Sequence, residues 1–200
     1  MDWKRLFVIS LFLLTAFAVR ADAGPWILDA NAGVGIPTGT FSDAWKSGLL
    51  VGGALDYHTG PLALGFDLSY VKNSPTEDFQ NTLDIAGADD DFRFVHYGAH
   101  MKWYPETHAS VSPYLGVGAG AYHVKESYTD PTLSEDITET AFGINMGGGL
   151  NYWISRSWGL GFDATYNDAF VSQDRFGTDS APFVALSAGF RWKLSNSSSY

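Results

Sequence analysis

Nine residues in the middle of the chain, Leu62-Ala-Leu64-Gly-Phe66-Asp-Leu68-Ser-Tyr70, alternate strictly between apolar and small or polar side chains. Residues 142–152 and 158–166 repeat the pattern. A period of two is typical of a β-strand whose two faces meet different surroundings. Eight segments show this alternation, at about residues 25–36, 48–58, 61–71, 92–104, 113–125, 139–153, 157–168 and 182–194. The sequence therefore predicts an all-β protein.

The links between these segments alternate between short and long. The short links lie at 59–61, 106–112 and 155–157, and the long ones at 37–47, 72–91, 126–138 and 169–181. Antiparallel strands joined in this way predict an eight-stranded up-and-down β-barrel. In a transmembrane barrel of this kind the short turns face the periplasm and the longer loops are extracellular.

The second face of each predicted strand distinguishes a membrane barrel from a soluble, lipocalin-like barrel. That face is mostly Gly, Ala, Ser and Asn with single charges, whereas a water-facing surface is rich in charged residues. Small residues suit the crowded interior of an eight-stranded barrel. Aromatic residues cluster near the strand ends and predict two lipid-facing girdles: Trp26, Tyr57, Tyr70, Trp103, Tyr104, Tyr114, Tyr152, Trp153, Trp158, Tyr166, Phe183 and Trp192. We therefore expect a transmembrane barrel.

The first residues have the layout of an export signal. Lys4 and Arg5 precede an apolar run at 6–19, and Ala21-Asp22-Ala23 is a cleavage site between small residues. A short membrane anchor is the alternative, but the run is too short to span a bilayer comfortably. The sequence thus predicts a cleaved signal peptide at 1–23, a barrel domain at 24–194 and a short polar tail at 195–200.

Composition excludes several classes of function. The chain has no cysteine, which excludes disulfides, thiolate zinc sites and a cysteine nucleophile. Without residues 1–23, basic residues fall from 12 to 9 and acidic residues from 22 to 20, which gives a net charge of −11. This acidic balance argues against a nucleic-acid partner. Much of the acidity lies in the long links 72–91 and 126–138.

Two stretches carry a family resemblance. Gly35-Ile-Pro37-Thr-Gly39-Thr-Phe41-Ser-Asp43-Ala-Trp45-Lys-Ser-Gly48, followed by Leu55-Asp56-Tyr57, resembles the first hairpin of small outer-membrane β-barrel proteins, the OmpA/OmpX-like group. The last strand carries Ser187, Gly189, Trp192 and Leu194, which resemble the signal that barrel assembly machinery recognises. The resemblance implies a bacterial outer-membrane protein. We expect it to be a monomer that meets periplasmic chaperones, this machinery, outer-membrane lipid and lipopolysaccharide.

If the small face points inward, the lumen receives a set of polar side chains. These are Asp29, Asp56, Asp67, His96, His100, Lys102, Asp163 and Arg191, with Asn31, Asn145, Asn151 and Asn167. Charges inside a narrow barrel must be paired or hydrogen-bonded. We expect Asp29 beside Arg191, because the last strand closes against the first, and Lys102 within reach of Asp56 or Asp67. Such a network forms either a plug of ion pairs or a gated ion path.

The sequence motifs that suggest catalysis or metal binding are weak. His108-Ala-Ser110 resembles part of a lipid A deacylase site, but it falls on a predicted periplasmic turn, away from that substrate. His96 and His100 with Asp67 could mimic a metal pair, although histidines hydrogen-bonded to carboxylates are the simpler interpretation. Asp89-Asp90-Asp91 with His96 invites comparison with omptin proteases, which have ten strands and a longer chain. We expect no catalytic residue, cofactor or metal.

The sequence therefore predicts a non-enzymatic outer-membrane barrel that serves envelope structure or surface interaction through its acidic loops. A narrow ion or solute pore is the first alternative, and a lipid A-modifying enzyme is the second. In loop 72–91, Phe79, Leu83 and Ile85 suggest a strand extension or an adhesive tip for a surface or host ligand. The acidic loops could also bind divalent cations, although simple solvation accounts for exposed charge.

Overall fold

The structure, a computed structural model, describes residues 26–78, 89–105, 110–129 and 134–194. The predicted signal peptide 1–23, the tail 195–200, the aromatic and apolar residues of 79–88 and His108 lie outside the described residues. The elements are β1 (Trp26–Pro37), α1 (Phe41–Ala44), β2 (Gly48–Thr59), β3 (Leu62–Asn73), β4 (Asp89–Trp103), β5 (Val111–Thr129), β6 (Ser134–Trp153), β7 (Trp158–Ala169), α2 (Gln173–Phe176) and β8 (Ala181–Leu194).

The strands form a closed antiparallel barrel. Each strand pairs with the next along the chain, and β8 returns to pair with β1 from Trp26–Leu194 to Pro37–Phe183. This confirms the predicted eight-stranded up-and-down topology. We call the end with the links β2–β3, β4–β5 and β6–β7 the turn end, and the opposite end the loop end. Across the described ranges, no helix is long and apolar enough to cross a membrane.

The two faces of the barrel differ as the alternation predicted. On β3, Phe66 and Leu68 point outward and are 49% and 57% exposed, whereas Ala63 points inward and is fully buried. Phe142 on β6 and Phe162 on β7 are likewise exposed on the outer face. The outer face is therefore a continuous apolar band, which is what a membrane-spanning barrel requires.

The seam between β8 and β1 depends on glycine. A Cβ placed on Gly189 would lie 2.7 Å from Cα of Asn31, and one on Gly33 would lie 2.7 Å from Cα of Ser187. Both distances are far below van der Waals contact, so any side chain would push the two backbones apart. The small inward face thus allows the first and last strands to approach closely.

The segment 126–138, predicted as a loop, is mostly strand. β5 continues to Thr129 and β6 begins at Ser134, so that only four residues separate them. The ladder continues because polar residues still alternate there, and Lys125 Nζ on β5 lies 2.8 Å from Asp136 Oδ2 on β6. β4 likewise begins at Asp89, inside the predicted loop 72–91. Since β7 pairs with β6 only from Gly143, the β4–β6 ladder projects beyond the barrel.

Four aromatic residues predicted in the lipid-facing girdles lie on the inward face of the barrel. Tyr104 and Tyr114 are buried together at the turn end, and Phe183 is buried at the loop end. Trp153 shares the inward face with Asn151, and Lys193 Nζ lies 3.8 Å from its ring centroid. The prediction of outward aromatics holds for Trp26 and Trp103 at the turn end and for Tyr166 near the loop end. It was wrong for the four because clustering near a strand end does not fix which face a side chain occupies.

Candidate functional site

Arg191 lies at the centre of one half of the lumen. The register places it opposite Asp29, and its Nε donates to Asp29 Oδ2 at 2.5 Å. Its Nη2 donates to both carboxylate oxygens of Asp163, at 2.6 and 2.7 Å. The hydroxyl of Tyr114 also donates to Asp163. Arg191 thus joins β1, β7 and β8 through buried, charge-assisted hydrogen bonds.

A second chain of polar contacts crosses β2, β3 and β4. Lys102 Nζ donates to Asp56 Oδ2 at 2.7 Å, and His100 Nε2 lies 2.5 Å from Asp56 Oδ1. His100 Nδ1 lies 2.8 Å from Asp67 Oδ1, and His96 Nδ1 lies 2.8 Å from Asp67 Oδ2. We use the name lumen network for Tyr114 together with the eight charged residues that the sequence predicts in the lumen: Asp29, Asp56, Asp67, His96, His100, Lys102, Asp163 and Arg191. The structure brings all eight into the interior in two groups, and the ring centroid of Tyr114 lies 5.4 Å from both Lys102 Nζ and Arg191 Cζ.

The contacts of His100 constrain its protonation. Both ring nitrogens face carboxylate oxygens, and an ionised carboxylate only accepts hydrogen bonds. The geometry therefore fits an imidazolium with both ring protons. The carboxylates of the lumen network then face the cations Arg191, Lys102 and His100, and His96 Nδ1 lies within hydrogen-bond distance of Asp67. Such pairing is what buried charges require.

An aromatic layer closes the lumen above this network, at the loop end. We call it the aromatic cap; it consists of Phe41, Trp45, Phe92, Phe94, Tyr122 and Phe183. The ring centroids of Phe41 and Phe92 are 5.0 Å apart, as are those of Phe94 and Phe183. The strand alternation did not predict this layer. The signal was present in Phe92 and Phe94, which share the inward face with His96.

The link between β1 and β2 is fastened over the lumen as part of this cap. Asn73 is fully buried, and its Nδ2 donates to the carbonyl oxygens of Lys46 at 2.8 Å and of Gly35 at 3.3 Å. The backbone N–H of Lys46 donates to Ser74, and that of Thr76 donates to Ala44. These bonds hold α1 inside the barrel mouth, where Phe41 can reach the β4 aromatics.

A cavity of about 130 Å³ remains between the lumen network and the aromatic cap. Its lining includes Asp29, Asn31, Asp67, His96, His100 and Asn145. A water molecule occupies roughly 30 Å³ in the liquid, so the space suits a few waters rather than a large solute. The predicted lumen residues Asn151 and Asn167 are also buried, nearer the two ends of the barrel.

The candidate metal and protease arrangements find no support in the geometry. Both His96 and His100 are paired with Asp67, and no cluster of metal-ligating side chains occurs within the described ranges. Asp91 lies on the outer face of β4, opposite to His96, and pairs with Lys72 and Arg93. Asp91 and His96 are therefore not brought together, while the side chains of Asp89 and Asp90 lie outside the described part of the chain.

The predicted assembly signal lies on a strand that is paired along both edges. Trp192 and Leu194 point outward and are exposed, while Ser187 and Gly189 face the lumen. β8 contacts β7 from Trp158–Trp192 to Ala169–Ala181, in addition to its pairing with β1. In the finished barrel only the outward half of this signal reaches the outer surface.

Comparison with known proteins identifies the family. The family model for the outer membrane protein beta-barrel domain matches residues 7–193. Similar solved structures include Neisserial surface protein A, with 20% identity, a TM-score of 0.60, and coverage of 84% of this chain and 97% of that one. Another is a major outer membrane protein of Thermus thermophilus, with 13% identity, a TM-score of 0.64, and coverage of 84% and 99%.

The same fold occurs in OprG from Pseudomonas aeruginosa, with 11% identity, a TM-score of 0.53, and coverage of 86% of this chain and 97% of that one. No curated protein matches. At these identities the structural likeness shows the fold alone. The family match extends over almost the whole barrel, and its members are proteins of the bacterial outer membrane. This chain belongs to the outer membrane protein β-barrel domain family.

Proposed function

We propose that this protein is a non-enzymatic outer-membrane barrel with an occluded lumen, which presents its loop end to the cell exterior for surface interaction. The observation that carries the proposal is the pair of barriers inside the barrel, the lumen network and the aromatic cap. A barrel whose interior is filled in this way is a rigid support for its loops and not an open channel. The projecting β4–β6 ladder is the part of the barrel that would contact a ligand at the cell exterior.

The lumen network is a strong barrier to ions. A passing ion would have to displace Arg191 from Asp29 and Asp163, both of which lose their partner when the guanidinium moves. Breaking a buried ion pair costs about 3–5 kcal/mol. The aromatic cap adds a second, apolar barrier that offers an ion no ligands.

The projecting ladder supplies a polar surface for recognition. It carries Lys125 and Asp136 on its outer face, and Glu139 hydrogen-bonded to Ser172 beside it. Two proteins with similar folds are described as a Neisserial surface protein and as the attachment invasion locus protein of Yersinia pestis. These descriptions are consistent with an adhesive role for the loop end of this chain.

The adhesive role can be tested with whole cells that express the full chain. In one variant a two-residue Asn-Gly turn replaces residues 127–136, which shortens the projecting β5–β6 hairpin and leaves the Glu126–Ile137 pair as its last. In a second variant residues 79–88 are deleted, and Arg156→Gln at the turn end is the control. We expect the hairpin variant to lose binding to host matrix or epithelial surfaces. Equal binding by all four proteins would refute the adhesive role.

A narrow pore is the second candidate, favoured by the polar cavity between the two barriers. The purified full chain in a planar bilayer distinguishes the two functions. An occluded support gives no steady openings at moderate voltage, whereas a pore gives openings whose size changes in Asp29→Ala. Steady openings of the wild-type protein would overturn the proposed occlusion.

Export and the absence of enzymatic activity are further parts of the proposal. Cleavage after Ala23 predicts a mature protein that begins at Gly24, which N-terminal sequencing of outer-membrane material would detect. A non-enzymatic role predicts that the lipid A mass spectrum is the same in cells with and without the protein. Loss or gain of an acyl chain in that spectrum would contradict it.

A further inference from the structure

Three basic side chains lie side by side on the outer face of the barrel. The register pairs Lys72 on β3 with Arg93 on β4, and Arg93 with Lys125 on β5. All three share the outward face, and their side chains are 46%, 36% and 32% exposed. We call this row the basic rung. The other Lys and Arg residues described lie in the lumen, the loops or the turns: Lys46, Lys102, Arg156, Arg175, Arg191 and Lys193.

The basic rung marks the border of the apolar band. Two residues closer to the turn end, the same strands carry Tyr70 and Val95 on the outer face. Two residues further still they carry Leu68 and Tyr97, both more than half exposed. On the opposite side, toward the loop end, Asp91 follows. Successive outward residues are about 7 Å apart, so the basic rung lies at headgroup level when the apolar band spans the hydrocarbon.

An apolar groove runs down the outer wall directly beneath the rung. Gly53, in the middle of β2, leaves a gap in the row between Ala30 and Leu68. Side chains of neighbouring rows form its walls: Leu28, Val51, Leu55, Phe66, Tyr70 and Val95. The groove is almost wholly apolar, and its end at Tyr70 and Val95 lies one outward row from Lys72 and Arg93. Such a surface accepts a hydrocarbon chain.

The acidic residues beside the basic rung do not occupy all of its hydrogen-bond donors. Asp91 pairs with both Lys72, at 3.2 Å, and Arg93, and Asp136 pairs with Lys125. Among the side chains that the structure describes, three cations thus share two carboxylates. Within the described residues Arg93 Nε has no hydrogen-bond partner, although it is buried. A phosphate group brings several strong acceptor oxygens and suits such a site.

We propose that the basic rung and the groove bind a phosphorylated, multiply acylated glycolipid of the outer leaflet, that is, lipid A. One phosphate contacts Lys72, Arg93 and Lys125, and one acyl chain lies along the groove at Gly53. Charge complementarity at the lipid border favours this occupant over a neutral lipid or a second copy of the chain. The proposal holds whether or not the loops bind a surface ligand.

The test uses the full chain in nanodiscs of phosphatidylcholine that contain a small fraction of bisphosphorylated lipid A. Native mass spectrometry then counts the lipid A molecules retained per barrel. We expect the triple variant Lys72→Gln, Arg93→Gln, Lys125→Gln to retain lipid A about tenfold less well than wild type, since each membrane-surface cation contributes measurably to such binding. Val51→Trp, which fills the groove from the lipid side, should also reduce retention.

The control variant is Lys46→Gln, Arg156→Gln, which removes two cations outside the rung and should retain lipid A as wild type does. Heat-modifiable migration on gels shows that every variant forms a barrel, so a folding defect is recognised directly. Dephosphorylated lipid A should bind the wild type as poorly as the triple variant binds the intact lipid. Equal retention of the two lipids, equal retention by the triple variant, or equal binding of phosphatidylglycerol would each overturn the proposal.

Discussion

Arg191 Nε lies 2.5 Å from Oδ2 of Asp29, a residue 162 positions earlier in the chain, and this contact joins the last strand of the barrel to the first. The same guanidinium holds Asp163 on β7. A single side chain thus hydrogen-bonds two carboxylates in the lumen, one on each of the strands that flank β8.

Replacement of Arg191 by methionine should strongly destabilise the barrel. Asp29 and Asp163 would remain buried without their cation, which costs about 3–5 kcal/mol in the free energy of unfolding. Urea-induced unfolding of the full chain in lipid vesicles measures the change. Arg156→Met, on an exposed turn, is the control and should change stability by less than about 0.5 kcal/mol. Adding Asp29→Asn and Asp163→Asn to Arg191→Met should recover much of the loss; no recovery would contradict the charge-pairing explanation.

The two barriers predict a specific pattern of conductance. Asn73→Ala removes two hydrogen bonds that fasten α1, and Asp56→Ala breaks the chain from Lys102 to His100. Each variant alone should stay closed in planar bilayers, because the other barrier remains. The double variant should show openings. Ser74→Ala, an exposed neighbour of Asn73, is the control. A single variant that conducts steadily would show that one layer alone closes the lumen.

Aromatic residues inside and outside the barrel should differ in their contribution to stability. Phe94 is 1% exposed in the aromatic cap, whereas Phe190 is 67% exposed on the outer face. Phe94→Ala leaves a cavity and should cost about 3–5 kcal/mol. Phe190→Ala loses only the transfer of its ring into lipid, about 1.5–3 kcal/mol. Urea unfolding of both variants in the same vesicles compares them, and equal losses would argue against a packed cap.

The ion pairs that Asp91 forms with Lys72 and Arg93 at the loop end should contribute less to the free energy of unfolding at acidic pH. Burial opposes ionisation of Asp91, but hydrogen bonds from Arg93 and Lys72 lower its pKa below the ordinary 3.8. A lowered pKa in the folded state adds stability above the ordinary pKa, and this stability is lost as the pH falls through the lowered value. Asp91→Asn should therefore unfold more readily than wild type at pH 7, and the difference should shrink toward pH 2. A difference that stays constant with pH would contradict this assignment.

Strand interiors could be predicted from sequence because alternation reports the two faces directly. Asp29, Asp67 and Arg191 lie in such interiors, and their inward orientation follows from the parity of their neighbours. Tyr114 and Phe183 lie near strand ends, where few alternating neighbours fix the parity, and they were assigned to the wrong face. The aromatic cap was missed for a related reason, since Phe41 comes from a link whose path is fixed by Asn73, a residue 32 positions away.

The basic rung could not be found from sequence either. Lys72, Arg93 and Lys125 are separated by more than 20 residues each along the chain, and only the strand register places them in one row. The extension of β5 and β6 was likewise hidden, because acidic residues such as Asp136 are common in loops. Cross-strand pairing, which depends on the partner strand, decides both cases.

The seam contact between Asp29 and Arg191 has a consequence for biogenesis. Until β8 reaches β1, Asp29 on the first strand has no guanidinium beside it, and the lumen of a partly assembled barrel carries uncompensated charge. An intermediate that lacks the last strand is therefore poorly suited to leave the assembly site for the bilayer. The arrival of the final strand both completes the backbone ladder and supplies the guanidinium that pairs with Asp29 and Asp163.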